Sequence, residues 1–275
     1  MAGQKRKRPS YTIPNPIFIV LALLNTNSVP ICLIQAVLLL CARLGVIKKT
    51  YHCLEYFAGV GNVVKAFEKN GKRASAYEIK NKIRLNNILL VEGFIEAMTL
   101  ALGLTPGGIV QIGIVCSSWV FLSRGASGRS HLKPLGDRSR KFVADGNLMA
   151  SRMVLLLFII DAVGGIWVIE QPASSLLELH PRFRAYCKLR KVYKIRMYIG
   201  ALGAPTVKPT ILYSNHQFIQ EGSLRFLDGY AYERMQRIGK GLLGSVDGRR
   251  NDQERMDQAC SVLRTEIEAP EKMEE

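Results

Sequence analysis

The amino-acid sequence predicts an α/β fold with a mostly parallel sheet and helices on both of its faces. From residue 51 onward, apolar segments of strand length alternate with segments of helical pattern, which is typical of parallel strands joined by crossover helices. The first of these strands runs into Gly59 and Gly61 and then directly into a helix. Ligands bind such sheets at the carboxyl ends of the strands, so the residues that follow each strand are the functional candidates.

The elements are predicted in chain order. Strand 51–57 ends at the glycine pair, helix 62–70 follows it, and strand 73–79 comes next. Segment Val91–Leu102 is predicted to be a helix, 109–115 a strand and 147–163 a helix that is apolar on nearly every face, as a helix packed onto a sheet is. Strand 166–170 stops at Pro172, which cannot continue the ladder. The polar loop 117–145 is longer than ordinary connections, which indicates a functional role.

Bulk composition narrows the classes of function. The net charge of +16 over 275 residues is unusual for an enzyme of small neutral metabolites and predicts a polyanionic partner, either nucleic acid or an acidic membrane surface. The six cysteines show no CxxC pairing, which predicts a reducing compartment and no structural zinc or other metal site.

Residues 1–50 differ from the rest of the chain, because they contain seven basic residues and no acidic one. Their two apolar runs, 17–24 and 29–42, are each shorter than the roughly 20 residues that cross a bilayer. We expect a basic, poorly ordered N-terminal extension. The basic cluster 5–8 is typical of a nuclear-import signal or of a phosphate-binding arm, so a nuclear location is suspected, while membrane association through 17–42 and a signal or organelle-targeting peptide stay open.

The rest of the chain divides into a domain over 51–220 and a C-terminal part, 221–275. That part has the pattern of a loop and one charged helix over 247–268, before an acidic tail. Oligomeric state is left open by the sequence.

The first candidate site is the glycine turn between strand 51–57 and the helix that begins at Asn62. Gly59 and Gly61 let the backbone approach a ligand closely, and the amides at a helix N-terminus are hydrogen-bond donors for polar groups. Glu78, seventeen residues after Gly61 and at the end of the next strand, is positioned to accept hydrogen bonds from ribose hydroxyls.

The second candidate site combines a thiol and a carboxyl group. Cys116 follows an apolar strand and precedes a basic, glycine-bearing loop, which favours thiolate character and access, as a nucleophile requires. Glu170 ends an equally apolar strand, where desolvation raises the pKa of a carboxyl group toward that of a useful proton donor. Because both follow strands of a parallel sheet, they are expected to share one rim with Gly59 and Glu78.

On its cofactor side the chain resembles the cytosine-5 DNA methyltransferases, in particular their short, divergent phage and algal forms. Residues 54–61 resemble the family's Phe-x-Gly-x-Gly motif, which implies that Phe57 packs against the adenine of S-adenosylmethionine. The resemblance implies a Rossmann-like class I methyltransferase fold, with Gly59, Gly61 and Asn62 at the cofactor and Glu78 on its ribose.

On its catalytic side three further motifs match in the family's order. Residues 115–119 resemble the Pro-Cys-x-x-Phe motif, which implies that the thiolate of Cys116 adds to the pyrimidine ring. Residues 170–172 are similar to the Glu-Asn motif, which implies that Glu170 protonates the ring nitrogen. Residues 203–215 resemble a Lys-Pro-Thr variant of the basic motif near the flipped base, which implies that Lys208 is a catalytic residue beside that base.

The implied activity is methyl transfer from S-adenosylmethionine to carbon 5 of cytosine in DNA through a covalent cysteine adduct. A base inside a duplex has to be flipped out to reach such a site. Phosphate contacts are predicted at basic residues of the long loop and of the acid-free segment 180–220: Arg124, Arg129, Arg138, Lys141 and Arg196.

Some residues depart from the family pattern. Val115 replaces the proline before the nucleophile, and Gln171 replaces the asparagine after the glutamate. For the adenine amino group the nearby candidates are Asn86, Asn87 and Glu92. Three alternatives therefore stay open: a catalytically degenerate domain that binds nucleic acid, a methyltransferase for RNA or another acceptor, and a membrane-associated protein.

Overall fold

A computed structural model describes residues 16–24, 29–45, 48–81, 84–199 and 208–220. Within them the helices are Pro16–Leu24 (α1), Ile31–Leu44 (α2), Asn62–Lys69 (α3), Val91–Leu102 (α4), Arg124–Ser127 (α5), Lys141–Ala162 (α6) and Pro181–Leu189 (α7). The strands are Tyr51–Tyr56 (β1), Ala74–Tyr77 (β2), Leu104–Ile112 (β3), Ile166–Pro172 (β4), Tyr193–Tyr198 (β5) and Pro209–Ser214 (β6). The basic cluster 5–8, residues 203–207 of the Lys-Pro-Thr motif, and the whole C-terminal part 221–275 lie outside the described residues.

The six strands form one mixed sheet in the order β2-β1-β3-β4-β6-β5. The first four are parallel to one another, whereas β6 runs antiparallel to both β4 and β5. The predicted α/β class and mostly parallel sheet are confirmed. Because β1 to β4 point the same way, their carboxyl ends meet at one edge of the sheet.

Successive residues of β1 face opposite layers of helix, as the two-residue period of a strand requires. Cys53 packs with Val63 and Phe67 of α3 on one face. On the other face, Tyr56 is fully buried and its hydroxyl donates a hydrogen bond of 2.7 Å to the Ala97 carbonyl of α4. Both faces of the central strand are therefore covered by helices.

The N-terminal helices belong to the main core, so the expectation of a poorly ordered extension is wrong for α1 and α2. Leu23 of α1 and Val37 of α2 are completely buried in the same cluster as the sheet residues, and α1 contacts α6. The burial of these apolar side chains offsets the entropy cost of ordering the segment. Within the described residues, α6 is long and apolar enough to cross a membrane, but its apolar side chains are largely buried in this core.

The strand before Cys116 lies earlier in the chain than the pattern predicts. β3 begins at Leu104 and ends at Ile112, with a register irregularity in its pairing to β1; Gly107, within that segment, has a φ of +74°. Cys116 therefore lies four residues beyond the strand, in a loop. The region predicted as one long loop contains α5 and the first residues of α6.

Candidate functional site

The glycine turn after β1 has a left-handed backbone at three positions. Gly59 and Gly61 have φ values of +58° and +71°, which glycine adopts without a steric cost. Phe57 shares this conformation with a φ of +60°, which is strained for a residue with a side chain. The Phe57 amide donates a hydrogen bond of 2.8 Å to the Tyr77 carbonyl, and this bond ties the turn to the end of β2.

Two buried carboxylates accept hydrogen bonds from backbone amides in and around this turn. Glu78 accepts hydrogen bonds from the Gly59 amide at 2.8 Å and from the Lys80 amide at 2.9 Å. Glu55 accepts a hydrogen bond of 2.9 Å from the Val64 amide in the first turn of α3. The predicted nearness of Glu78 to the glycine turn is thus observed, with the added finding that its carboxylate holds the turn in shape.

A cavity of about 260 Å³ opens beside the turn at the carboxyl edge of the sheet. Of the five predicted cofactor residues, Phe57 lines it, whereas Gly59, Gly61, Asn62 and Glu78 are not among its lining residues. The cavity is lined mainly by apolar and aromatic side chains, together with two asparagines, a serine and an aspartate: Phe57, Tyr77, Ile79, Asn86, Asn87, Ile88, Leu89, Val115, Ser117, Phe142, Asp145 and Met149.

The polar lining includes one group that the sequence did not predict. Asn86 and Asn87 line the cavity, as two of the three candidates for an adenine amino group, but Glu92 is exposed on α4 and is not part of the lining. The carboxylate in the wall is Asp145, which lies in the first turns of α6 and pairs with Lys141 at 2.6 Å. The sequence did not predict this position of Asp145, because residues 117–145 have the composition of a polar loop.

Cys116 is half-buried, and its neighbours Val115 and Ser117 both line this cavity. The Cys116 carbonyl accepts a hydrogen bond of 2.8 Å from the Trp119 amide, which closes a tight turn after the cysteine. Gln171 holds the turn from the other side, because its side-chain amide donates a hydrogen bond of 2.8 Å to the Ile114 carbonyl. Gln171, one of the residues that depart from the family pattern, thus ties β4 to the backbone two residues before Cys116.

Glu170 and Lys208 lie next to Cys116, so the three predicted catalytic residues come together. Glu170 is 5% exposed near the end of β4, as the apolar strand before it suggested. The Lys208 ammonium lies 3.6 Å from a Glu170 carboxylate oxygen. Lys208 reaches this position because it directly precedes β6, whose Thr210 pairs with Pro172 at the end of β4.

The electrostatics of Cys116 differ from the predicted thiolate character. Burial raises the pKa of its thiol above the ordinary value, the Glu170 carboxylate raises it further, and Lys208 acts in the opposite direction. Both raising effects arise because a thiolate is poorly solvated here and is repelled by a nearby negative charge. A nucleophilic role for Cys116 therefore depends on how Glu170 and Lys208 are charged.

Arg129 is 2% exposed, so the prediction that it contacts phosphate is corrected. Its guanidinium donates hydrogen bonds to the carbonyls of Pro134 and Val143 and to the side chains of Ser118 and Asn147. It also stacks over the Trp119 ring at 3.5 Å from the ring centre. These contacts connect the turn after Cys116 to the long loop and to α6.

The other four predicted phosphate contacts differ in their surroundings. Arg138 is exposed on the long loop, and Arg124 is half-buried over the Phe121 ring. Lys141 is exposed but paired with Asp145. Arg196 is exposed on β5, two strands from Gln171 in the same register, which puts the two backbones roughly 10 Å apart. Their role in binding nucleic acid stays a prediction.

His180 is buried against Trp119, which belongs to the turn after Cys116. It is 2% exposed and its ring meets Trp119 edge-on at 5.7 Å. Burial, with smaller contributions from Arg129 and Arg182, lowers the pKa of His180 to about 4. The unfolded chain protonates this histidine near its ordinary pKa of about 6.5, so stability falls as pH drops from there toward 4.

We expect His180 to account for a loss of about 2 kcal/mol in the free energy of unfolding between pH 7 and pH 5. His180→Phe keeps an aromatic ring against Trp119 and removes this part of the loss. Urea unfolding at both pH values measures it, with His131→Phe, at an exposed site, as control. Equal losses in wild type and His180→Phe would contradict the buried, neutral histidine.

Among the described residues, no group of three or more histidine, cysteine, aspartate or glutamate side chains is arranged to hold a metal ion. Searches against family models, curated proteins and solved structures find no match to this chain.

Proposed function

We propose that this chain is a methyltransferase of Rossmann-like class I fold that uses S-adenosylmethionine to methylate carbon 5 of cytosine in DNA. The observation that supports the proposal is that three groups from separate segments come together, and that the residues on both sides of one of them, Cys116, line the cavity. Cys116 comes from the loop after β3, Glu170 from β4 and Lys208 from the start of β6. The strand order, with the antiparallel β6 inserted between β4 and β5, is compatible with this fold.

The cavity fits the adenosine part of the cofactor. Phe57 and the apolar side chains around it offer faces for an aromatic base, while Asn86 and Asn87 carry amide groups that can pair with an adenine edge. The Asp145 carboxylate is a further acceptor for an amino group. When bound, S-adenosylmethionine supplies an electrophilic methyl group.

The chain's own residues make the pyrimidine reactive. The thiolate of Cys116 adds to carbon 6 of the ring, and a proton held by Glu170 at the ring nitrogen favours this addition, so that carbon 5 becomes nucleophilic. Once carbon 5 has been methylated, it loses its proton to water and the carbon–sulfur bond breaks, with the electron pair returning to the Cys116 sulfur. The proton on the ring nitrogen returns to Glu170 as the aromatic ring is restored. The Lys208 ammonium stabilises negative charge on Cys116 and Glu170 during these steps.

The raised pKa of Cys116 supports a second candidate, a catalytically degenerate domain that binds nucleic acid. A thiol that stays protonated at neutral pH is a poor nucleophile, whereas the exposed basic residues of α7 and β5 serve binding in either case. An RNA or other acceptor is compatible with the same cofactor-side residues.

A methyl-transfer assay separates these candidates. Full-length protein is incubated with tritiated S-adenosylmethionine and cytosine-containing duplex DNA, single-stranded DNA or RNA, and the hydrolysed product is identified by chromatography. We expect labelled 5-methylcytosine from DNA and none with Cys116→Ser. Label on RNA alone would show that RNA is the acceptor. Label in no substrate, despite cofactor binding, would support the degenerate domain.

A further inference from the structure

The outward face of α2 is apolar and uncovered in the described part of the chain. Ile31, Leu38 and Leu39 are 71%, 47% and 72% exposed, and Cys32 is exposed on the same side of the helix. Gln35 and Arg43 are the polar side chains on this exposed side. A single exposed leucine is ordinary, but several on one side of one helix indicate a contact surface.

Helix α1 extends this apolar surface. It packs against α2 and adds Leu21 and Leu24, which are 44% and 55% exposed. The inner faces of both helices pack in the core. Whatever covers the outer surface must therefore come from a segment or a partner beyond this packed core.

The charge around the surface is positive. Arg43 and Lys48 are exposed at the carboxyl end of α2, and residues 1–54 contain no acidic residue. Lys49 is not available, because its ammonium donates a hydrogen bond of 2.6 Å to the Leu102 carbonyl at the end of α4. The surface therefore matches an apolar partner with an acidic rim.

The C-terminal part of the chain has this chemistry. Over the segment predicted as a charged helix, Met256, Cys260, Leu263 and Ile267 recur at spacings of four, three and four residues, which puts them on one face of a helix. Residues 251–268 contain five acidic and two basic residues. This is an amphipathic, acidic segment whose apolar face needs a partner.

The connection is long enough to reach. The described chain ends at Gln220, and Met256 follows 36 residues later, a span of up to about 120 Å when extended. A domain of this length has a radius of gyration of about 19 Å. The segment can therefore reach α2 from any point on the surface.

We propose that the exposed face of α2 is the docking surface for residues 251–268 of the same chain. The apolar face of the segment covers Ile31, Leu38 and Leu39, and its acidic residues meet Arg43 and Lys48. A second copy of the chain fits less well, because it would bring two basic rims together. The docking is independent of whether the chain transfers methyl groups.

Two native cysteines test the contact in the full-length protein. Cys32 lies on the α2 surface, and the sequence spacing predicts that Cys260 belongs to the apolar face of the segment. A short bismaleimide is expected to join them within one chain, and the linked peptides are identified by mass spectrometry on the monomer band. Leu263→Asp and Leu38→Asp are each expected to lower the yield about tenfold, while Thr265→Asp, on the opposite side of the predicted helix, leaves it unchanged.

Other occupants give different results. A Cys32–Cys260 link between two chains, with a dimer in solution, would overturn the proposal in favour of a second copy. Flotation of the protein on phosphatidylserine vesicles, lost in Leu38→Asp and accompanied by no link, would assign the surface to a membrane. The absence of any link that depends on Leu263 would overturn the proposal as well.

Discussion

Glu170→Gln is expected to lower the rate of methyl transfer by about 10²- to 10⁴-fold, the usual contribution of a positioned proton donor. Glutamine keeps the size of the side chain at the end of β4 but cannot donate a carboxyl proton to the ring nitrogen. Its partner Lys208, now 3.6 Å from a carboxylate oxygen, would then face a neutral amide. The measurement is single-turnover methyl transfer with the cofactor in excess.

The same substitution is expected to have a second, opposite effect on the thiol of Cys116, to be measured in a variant that urea unfolding shows to be folded. Because Glu170 raises the pKa of Cys116 and Lys208 lowers it, Glu170→Gln is expected to lower that pKa. Alkylation of Cys116 by iodoacetamide, followed by peptide mass spectrometry, should therefore occur at a lower pH than in wild type. Slower methyl transfer with a more reactive thiol, at a free energy of unfolding close to that of wild type, would support Glu170 as the proton donor, whereas the same result with a large loss of stability would indicate a loosened site.

Glu178→Gln is the matched control for this prediction. Glu178 is also paired with a lysine, Lys194, and accepts a hydrogen bond of 3.0 Å from the Tyr213 hydroxyl, but it is not among the groups that shift the pKa of Cys116. We expect it to leave both the rate and the alkylation profile close to wild type. An unchanged rate in Glu170→Gln would remove Glu170 from the proposed chemistry.

Arg129→Met is expected to lower the free energy of unfolding by about 3 kcal/mol, because it leaves buried partners without their donor. Those partners are the Pro134 and Val143 carbonyls and the side chains of Ser118 and Asn147. Since Ser118 and Trp119 belong to the turn after Cys116, the turn should loosen as well. Urea unfolding measures the first effect, and the rate of Cys116 alkylation at fixed pH measures the second.

Arg138→Met provides the comparison for this prediction, because Arg138 is an exposed arginine of the same loop. Its effect on stability should stay within about 0.5 kcal/mol, as for most surface substitutions. Equal effects of the two substitutions on stability would show that Arg129 does not hold the loop. A loss of nucleic-acid binding with unchanged stability in Arg129→Met would restore its original interpretation as a phosphate contact.

The grouping of the residues that follow each strand could be predicted from the sequence, because parallel strands bring their carboxyl ends to one edge of the sheet. That rule brought Gly59 close to Glu78 and Cys116 close to Glu170 without any knowledge of the packing. It did not give the electrostatics of Cys116, because the pKa depends on how closely Glu170 and Lys208 approach the thiol. These distances are set by tertiary packing.

Two residues show why other features were missed. Arg129 lies in a polar loop, where an arginine is normally exposed, and only the folded chain brings Trp119 and Asn147 around it. Asp145 lies in a stretch that was predicted as the end of the long loop. The start of α6 at Lys141, and the place of Asp145 in the cavity wall, were therefore not predicted. A signal was present for α2, since Leu33, Val37 and Leu40 recur at helical spacing, but the apolar residues on its other side concealed that pattern.

The most direct test of the central claim is covalent trapping on 5-fluorocytosine. Full-length protein is mixed with labelled S-adenosylmethionine and DNA carrying this base at cytosine positions; fluorine at carbon 5 prevents the elimination that releases the cysteine. We expect a labelled, denaturation-resistant protein–DNA adduct in wild type and in Cys187→Ala, whose cysteine is also half-buried, and none in Cys116→Ala. No adduct in wild type, despite demonstrated cofactor binding, would contradict cytosine methylation through Cys116.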